Sequence, residues 1–339
     1  MTNFLPNKVR FAHKYCFFLH DILADIIVSG EALGIFSANF KFRNEGDSKA
    51  MNGKSGEDLF RWLQQNGYND IADSLVVKRV FVALLSDFCH FVYEALQNSK
   101  KAKLTVAYAL LRKPFKDNLL YFEWLLADPK NFLDTFFSGN IRALATSTSF
   151  LPEKKIQIIR DAMDKTAMKQ WIDPEYVYQL RFDKQAEFSL EHLWQRANHL
   201  ITTFGPLETE EMNFNFVFSN KEDMDAQWTY LYYTLPILLF HAHEVVLSLL
   251  ATFADPVFAK DDFTEMRVTI GFLLCMEDEE MQRRLSAIAR DTKEALSAVQ
   301  LHCPKCQRRV SYSKNTLRHV YLYAAIKCPH CGLRIPFGM

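Results

Sequence analysis

Glycine is scarce in this sequence. The 339 residues include 11 glycines, which is roughly 3% of the chain against about 7% in average proteins. Few glycines leave few tight turns, and this counts against β-sandwiches and against folds that hold nucleotides with glycine-rich loops. The aromatic content of 14% excludes an intrinsically disordered chain. The composition therefore favours a helical globular protein.

The cysteines are too few, and odd in number, for a disulfide framework. Three of the seven stand alone in helix-like segments, and four form two close pairs near the C-terminus. This usage is typical of a reducing cytosol. The N-terminus also lacks a secretory signal, because His20 and Asp21 interrupt its short apolar run. We therefore expect a cytoplasmic protein.

One stretch, residues 231–250, is apolar and long enough to cross a bilayer. Pro236, His241, His243 and Glu244 lie near its middle, where polar and charged groups are costly in hydrocarbon. We therefore expect a buried core helix and no membrane partner.

Apolar residues recur at helical spacing over most of the first 300 residues. The predicted helices cover about 11–27, 74–98, 102–127 and 277–301, and the third is expected to bend at Pro114. Further helices are expected to begin at Ser55, Asp128 and Asp173. Residues 43–56 are expected to form a mobile loop. Two segments, 212–218 and 265–270, alternate with period two and predict a small pair of strands beside the helices. The predicted fold is mainly α, a multi-helix bundle.

Two C-x-x-C pairs near the C-terminus have the spacing of a metal site. Cys303 and Cys306 are separated from Cys328 and Cys331 by 21 residues. Two residues between cysteines allow a tight turn to aim both sulfurs at one ion, and four sulfurs complete the tetrahedral shell of Zn²⁺. A complete shell leaves no position for a substrate, so the sequence predicts a structural zinc.

The segment resembles a zinc ribbon, whose knuckles typically read C-P-x-C-G. The second knuckle matches fully with Gly332, whereas the first has Gln307 in the glycine position. The resemblance implies a small C-terminal β module over residues 301–339, attached to a helical domain over 1–300. So short a segment cannot bury its own core, and metal binding is expected to supply most of its folding free energy.

Acidic residues are absent after Cys303. Seven Lys and Arg follow it, while the preceding residues hold 33 cations and 40 anions. Tyrosines lie among these cations, a combination suited to phosphates and unstacked bases. The residues expected to contact nucleic-acid phosphates are Arg308, Arg309, Lys314 and Arg318.

The same charge leaves other partners open. A basic module suits the acidic surface of another protein, of its own chain or of a second copy of it. Contact between copies would make this chain a homo-oligomer and the ribbon an assembly module. These hypotheses stand beside nucleic-acid binding.

The catalytic residues, if there are any, stay unknown at this point. Asp87, His90 and Glu94 share one helix face, and the histidines and glutamate of the 231–250 stretch can approach from an opposite helix. Such a cluster suits general acid–base chemistry or a second metal, or simply a hydrogen-bonded core.

The run from Leu110 to Glu123, followed by Trp124 and Asp128-Pro129, resembles prokaryotic helical domains grouped near the HEPN ribonucleases. The resemblance implies a helical effector enzyme, a ribonuclease or toxin in prokaryotic defence. HEPN enzymes place a His after an Arg and four to six further residues. The nearest pair here is Arg196 and His199, with two residues between them, so enzymatic activity stays open.

Overall fold

The structure, a computed structural model, describes residues 4–37, 40–203, 208–254, 262–276, 279–298, 301–311 and 320–336. Most of these residues are helical, and within those ranges the strands are two short ones near the C-terminus. The fold class predicted from the glycine-poor, helix-patterned sequence is confirmed.

Helices of very different length build the body. The α-helices are α1 (Arg10–Ala32), α2 (Glu45–Met51), α3 (Gly56–Gln65), α4 (Asn69–Lys100), α5 (Leu104–Lys113), α6 (Leu119–Ala127), α7 (Pro129–Phe137), α8 (Ile141–Leu144), α9 (Thr146–Ser149), α10 (Pro152–Met163), α11 (Pro174–Phe182), α12 (Leu190–Asn198), α13 (Lys221–Leu250), α14 (Asp262–Cys275) and α15 (Glu279–Ala298). Short 3-10 helices cover Asn7–Val9 and Ala167–Gln170, a π-helix covers Pro114–Asn118, and the strands are β1 (Ala325–Lys327) and β2 (Arg334–Pro336).

The main core lies between the longest helices. Helix α4 packs on α1 and α5, α13 packs on α1 and α6, and α10 packs on α6 and α11. Among the described helices, α13 is the one whose length and composition would allow it to cross a membrane, and 78% of its most apolar window is buried inside the protein. The predicted core helix is therefore present, with its apolar side chains turned toward neighbouring helices.

Local sequence features determine where several helices begin and where one becomes irregular. Asp128 and Asp173 each accept a backbone N–H of the following turn, as expected for N-caps before proline. The irregularity predicted at Pro114 is a π-helical segment that joins α5 to α6, because proline cannot donate an N–H to the regular helical ladder.

The loop expected at 43–56 is not a loop throughout. Residues 45–51 form α2, whose N-cap Asn44 accepts the N–H of Asp47 at 2.8 Å. Acidic residues in the first turn suit the positive end of the helix dipole. The Tyr68 hydroxyl also donates to the Asp47 carboxylate at 2.7 Å, so tertiary contact stabilises a helix that the polar sequence concealed.

The prediction of two strands from period-two alternation was wrong. Residues 265–270 lie within α14, where Val268 and Phe272 are buried at i, i+4 spacing. In the other segment, Met212 and Phe216 have φ of 58° and 63°, which an extended strand does not allow. The Asn215 side chain donates to His199 O at 2.8 Å and holds this segment as a turn.

The C-terminal module packs on α14 and α15 through a second apolar cluster. Strands β1 and β2 are antiparallel, with Ile326 opposite Ile335. Ile326 shares its cluster with Ile270 and Leu273 of α14 and with Leu285 of α15. The C-terminal module therefore folds against the helical body.

Candidate metal centre

Two turns of the same geometry present the four cysteines. In the first, Cys303 N–H donates to Arg308 O at 3.0 Å, and Gln307 N–H donates to Cys303 O at 2.8 Å. In the second, Cys328 N–H donates to Leu333 O at 2.8 Å, and Gly332 N–H donates to Cys328 O at 3.0 Å. Each C-x-x-C pair thus forms a closed knuckle, as the spacing predicted.

The four sulfurs converge. Cys303 Sγ lies 3.5 Å from Cys331 Sγ, Cys306 Sγ lies 3.7 Å from Cys328 Sγ, and all four lie within 4.8 Å of one another. A disulfide requires about 2.05 Å, whereas sulfurs around tetrahedral zinc, with Zn–S bonds of ~2.3 Å, lie about 3.8 Å apart. The four cysteines can therefore hold a metal ion such as zinc, beside a small β-hairpin consistent with a zinc-ribbon-like segment.

The knuckle backbones favour ionised thiols. Burial opposes ionisation of Cys303, but the N–H groups of Cys306 and Lys305 lower the pKa of its thiol to about 6. Backbone N–H groups of the second knuckle likewise lower the pKa of Cys328 against the effect of burial. One N–H favours ionisation of Cys331, yet burial and the neighbouring sulfurs raise its pKa to about 11. Two sulfurs are thus predisposed to the thiolate form that binds metals.

The first knuckle forms without glycine. Gln307 adopts φ of 57°, and Gly332 at the equivalent position adopts φ of 74°. The left-handed conformation costs a residue with a Cβ roughly 1–2 kcal/mol. The Gln307 side chain offsets part of this cost by donating to Pro304 O at 3.1 Å.

The basic residues predicted to contact phosphate are only partly described. Arg308 and Arg309 are exposed beside the first knuckle, while Lys314 and Arg318 lie outside the described residues. Three further cations of the module are exposed: Lys305, Lys327 and Arg334. The Arg334 guanidinium stacks 4.8 Å from the centre of the Tyr323 ring.

The polar clusters considered for catalysis do not come together. The Asp87 carboxylate accepts Asn118 Nδ2 at 2.7 Å and pairs with Lys113 at 2.8 Å, while His90 and Glu94 are exposed. Burial opposes the effect, but these two donors lower the pKa of Asp87. The carboxylate is therefore part of a contact between helices.

The histidines of α13 have separate partners. His241 pairs with Glu123 of α6, and His243 bonds to the neighbouring Glu244 at 3.2 Å. Of the other pair considered for catalysis, Arg196 donates to Glu208 O, and His199 is exposed at the C-cap of α12.

A buried charge cluster escaped prediction from the sequence. Glu123 Oε1 accepts hydrogen bonds from His241 Nε2 and Arg181 Nη1, both at 2.6 Å, and all three side chains are fully buried. Burial opposes ionisation, but Arg181 and His241 lower the pKa of Glu123. Because the three side chains come from α6, α11 and α13 and are buried, the cluster joins these helices inside the core. The sequence feature that could have indicated this cluster is Glu123 itself, the single acidic residue within the apolar run 119–126.

No family model, curated protein or solved structure matches the chain. What the site can do therefore follows from its own geometry. That geometry is a four-sulfur cluster able to bind a metal, with exposed cations around it and a helical body behind it.

Proposed function

We propose that this protein is a cytoplasmic zinc-ribbon protein that binds nucleic acid, with the helical body as the scaffold of the ribbon. One observation carries the proposal: apart from the metal-binding cysteines, the charged side chains of the module are all cationic. Five exposed cations surround the cysteine cluster, namely Lys305, Arg308, Arg309, Lys327 and Arg334. The sequence contains no acid after Cys303 to neutralise them.

The metal in this proposal is zinc, and its role is structural. Four thiolates suit Zn²⁺ and occupy all of its tetrahedral positions, so the ion folds the module. Reduced thiols are needed for such binding, and the free, buried Cys16 and Cys89 of the helical body suit the same reducing compartment.

Nucleic acid fits this surface better than an acidic protein does. Phosphates repeat at short, regular intervals, and cations that neutralise them release counterions. Tyr323 adds a partly exposed ring beside Arg334, and aromatic rings stack on unpaired bases of any sequence. Single strands are therefore the expected ligand.

The test is fluorescence anisotropy with a labelled single-stranded oligonucleotide and the variant Arg308→Glu/Arg309→Glu. Losing two phosphate contacts should reduce the slope of log affinity against log salt by about 1.4. The matched control is Lys49→Glu/Arg61→Glu, which reverses two exposed charges of the helical body that make only long ion pairs at 3.9 Å and 3.8 Å.

We expect the control to bind like the parent protein. Equal affinity and equal salt slope for the ribbon variant and the parent would refute the proposal. Loss of affinity in both variants to the same degree would also refute it, because the effect would then come from net charge and not from the ribbon.

A further inference from the structure

A cavity of about 330 Å³ lies where the ribbon meets the helical body. One of its walls is a face of α1, because Arg10, Lys14, Phe17 and Asp21 follow one another at three- and four-residue spacing. The end of α4 adds Lys100, and the ribbon lines another side of the cavity with Leu322 and Tyr323. Three separate parts of the chain thus form one pocket.

The charges in this pocket are unbalanced. Three cations line it, Arg10, Lys14 and Lys100, against one carboxylate, Asp21. That carboxylate bonds to His20 Nδ1 at 2.9 Å. Within the described part of the chain, no ion pair engages any of the three cations. The cavity therefore carries an excess of positive charge, which the single carboxylate of Asp21 offsets only in part.

The N-terminus of α1 adds to this excess of positive charge. Its first turn contains no acidic residue, and Arg10 begins the helix, where the dipole is positive and favours anions. A cation at this position is unfavourable for the isolated helix. An anion in the pocket would interact favourably with both the helix end and the cations.

His13 contributes a buried polar ring to the cavity wall. Its ring is buried, and Nδ1 lies 2.6 Å from the Tyr232 hydroxyl, which in turn contacts Ser99 Oγ. Burial, followed by Lys100 and Lys14, lowers the pKa of His13 to about 4. The histidine is therefore neutral at pH 7 and adds a polar ring, without charge, to the cavity wall.

The ribbon side of the pocket is anchored. Arg267 of α14 donates from Nε to Tyr321 O and from Nη2 to Leu322 O, both at 2.9 Å. Its guanidinium also lies 4.5 Å from the centre of the Phe18 ring, another residue of the cavity wall. Leu322 and Tyr323 are thus held against α1 by a specific contact.

We propose that this cavity is a phosphate-binding site, which takes a phosphate group of the strand that crosses the ribbon. The proposal deepens the proposed function, since it names a second contact for the same ligand. A cavity of this volume accommodates a phosphate with part of its sugar, and Tyr323, a lining residue with a partly exposed ring, offers a surface on which the adjoining base would stack. The three cations supply charge-assisted hydrogen bonds.

The test is thermal unfolding of the full-length protein with inorganic phosphate as the probe, at constant ionic strength set with chloride. The variant is Lys14→Gln/Lys100→Gln, and the matched control is Lys49→Gln/Arg61→Gln. Without phosphate we expect the pocket variant to melt no lower than the parent, because repulsion is relieved. With phosphate we expect the parent to be stabilised and the pocket variant not to be.

The apparent affinity for phosphate should fall at least about tenfold in the pocket variant and stay unchanged in the control. Equal stabilisation of parent and pocket variant by phosphate would overturn the proposal, as would the absence of any stabilisation of the parent. Oligonucleotide anisotropy then separates the two sites. A pocket failure leaves the effect of Arg308→Glu/Arg309→Glu intact, whereas failure of the ribbon proposal removes that effect and leaves the phosphate response.

Discussion

The contact made by Arg267 provides the sharpest prediction, because one side chain joins the ribbon to the helical body. Its guanidinium donates to two carbonyls of the ribbon, Tyr321 O and Leu322 O, each at 2.9 Å. Both residues are buried, so water cannot readily replace the lost donor. The substitution Arg267→Ala should therefore weaken the docking of the ribbon.

The magnitude follows from these contacts. A hydrogen bond from a charged donor contributes roughly 1.5–3 kcal/mol, and stacking of the guanidinium on Phe18 adds about 1 kcal/mol. After some relaxation of the site, we expect a loss of about 3–5 kcal/mol. Arg267→Lys should fall between parent and alanine variant, because an ammonium group does not reproduce the two-donor fork of guanidinium.

The assay follows metal release and helix unfolding in the same urea titration of zinc-loaded protein. A chromogenic chelator reports release from the cysteines, and far-ultraviolet circular dichroism reports the helical body. In Arg267→Ala, metal release should move to lower urea by about 1 M or more. The control Arg283→Ala removes only an exposed pair with Glu280 at 3.3 Å, and such pairs contribute under about 1 kcal/mol.

One result would refute this reasoning. If Arg267→Ala and Arg283→Ala released metal at the same urea concentration, the two carbonyl contacts would not hold the ribbon in place. If only helix unfolding moved to lower urea and metal release stayed unchanged, Arg267 would stabilise the packing of α14 and not the docking of the ribbon.

Four other substitutions test three separate parts of the structure: the knuckles, the buried charge cluster and His13. Gln307→Gly should remove the cost of its positive φ and tighten metal retention roughly two- to fivefold, while Gly332→Gln should weaken it, both measured by chelator competition. Glu123→Gln should lower the free energy of unfolding by about 3–5 kcal/mol in urea, because Arg181 loses its buried anion. Since the pKa of Glu123 is lowered in the folded state, its contribution is present above the unfolded value near ~4.3 and is lost as pH falls through the folded value. His13→Gln should remove a pH dependence of about 3 kcal/mol, because the parent loses stability as pH falls from 6.5 to about 4 while the unfolded histidine takes up a proton.

Each of these has a contrary outcome. Equal chelator competition by both knuckle variants and the parent would show that positive φ at these positions is not strained. A Glu123→Gln protein as stable as the parent at pH 7 would mean that the buried cluster contributes no net stability. A parent and a His13→Gln protein with the same stability between pH 4 and pH 6.5 would show that His13 titrates normally.

Much of the candidate metal site could be predicted because its chemistry is local. Two residues between cysteines determine a turn, and four cysteines in two such turns determine the donor set. The same holds for the caps at Asp128 and Asp173, where one side chain serves a neighbouring N–H. Predictions failed where only a few residues carried the pattern. Residues 265–270 alternate like a strand over six positions, but they lie in a 14-residue helix.

The sequence by itself therefore determined the helical class, the cysteine cluster and the concentration of positive charge after Cys303. Only the tertiary structure decided which distant residues meet. Glu123 and His241 are 118 residues apart in the chain, and Arg267 lies 54 residues before Tyr321. Such pairs form because buried polar groups need partners wherever packing brings one within reach. The hydrophobic periodicity of the sequence does not predict which residues pair, and the cavity between α1 and the C-terminal module likewise forms only in the tertiary structure.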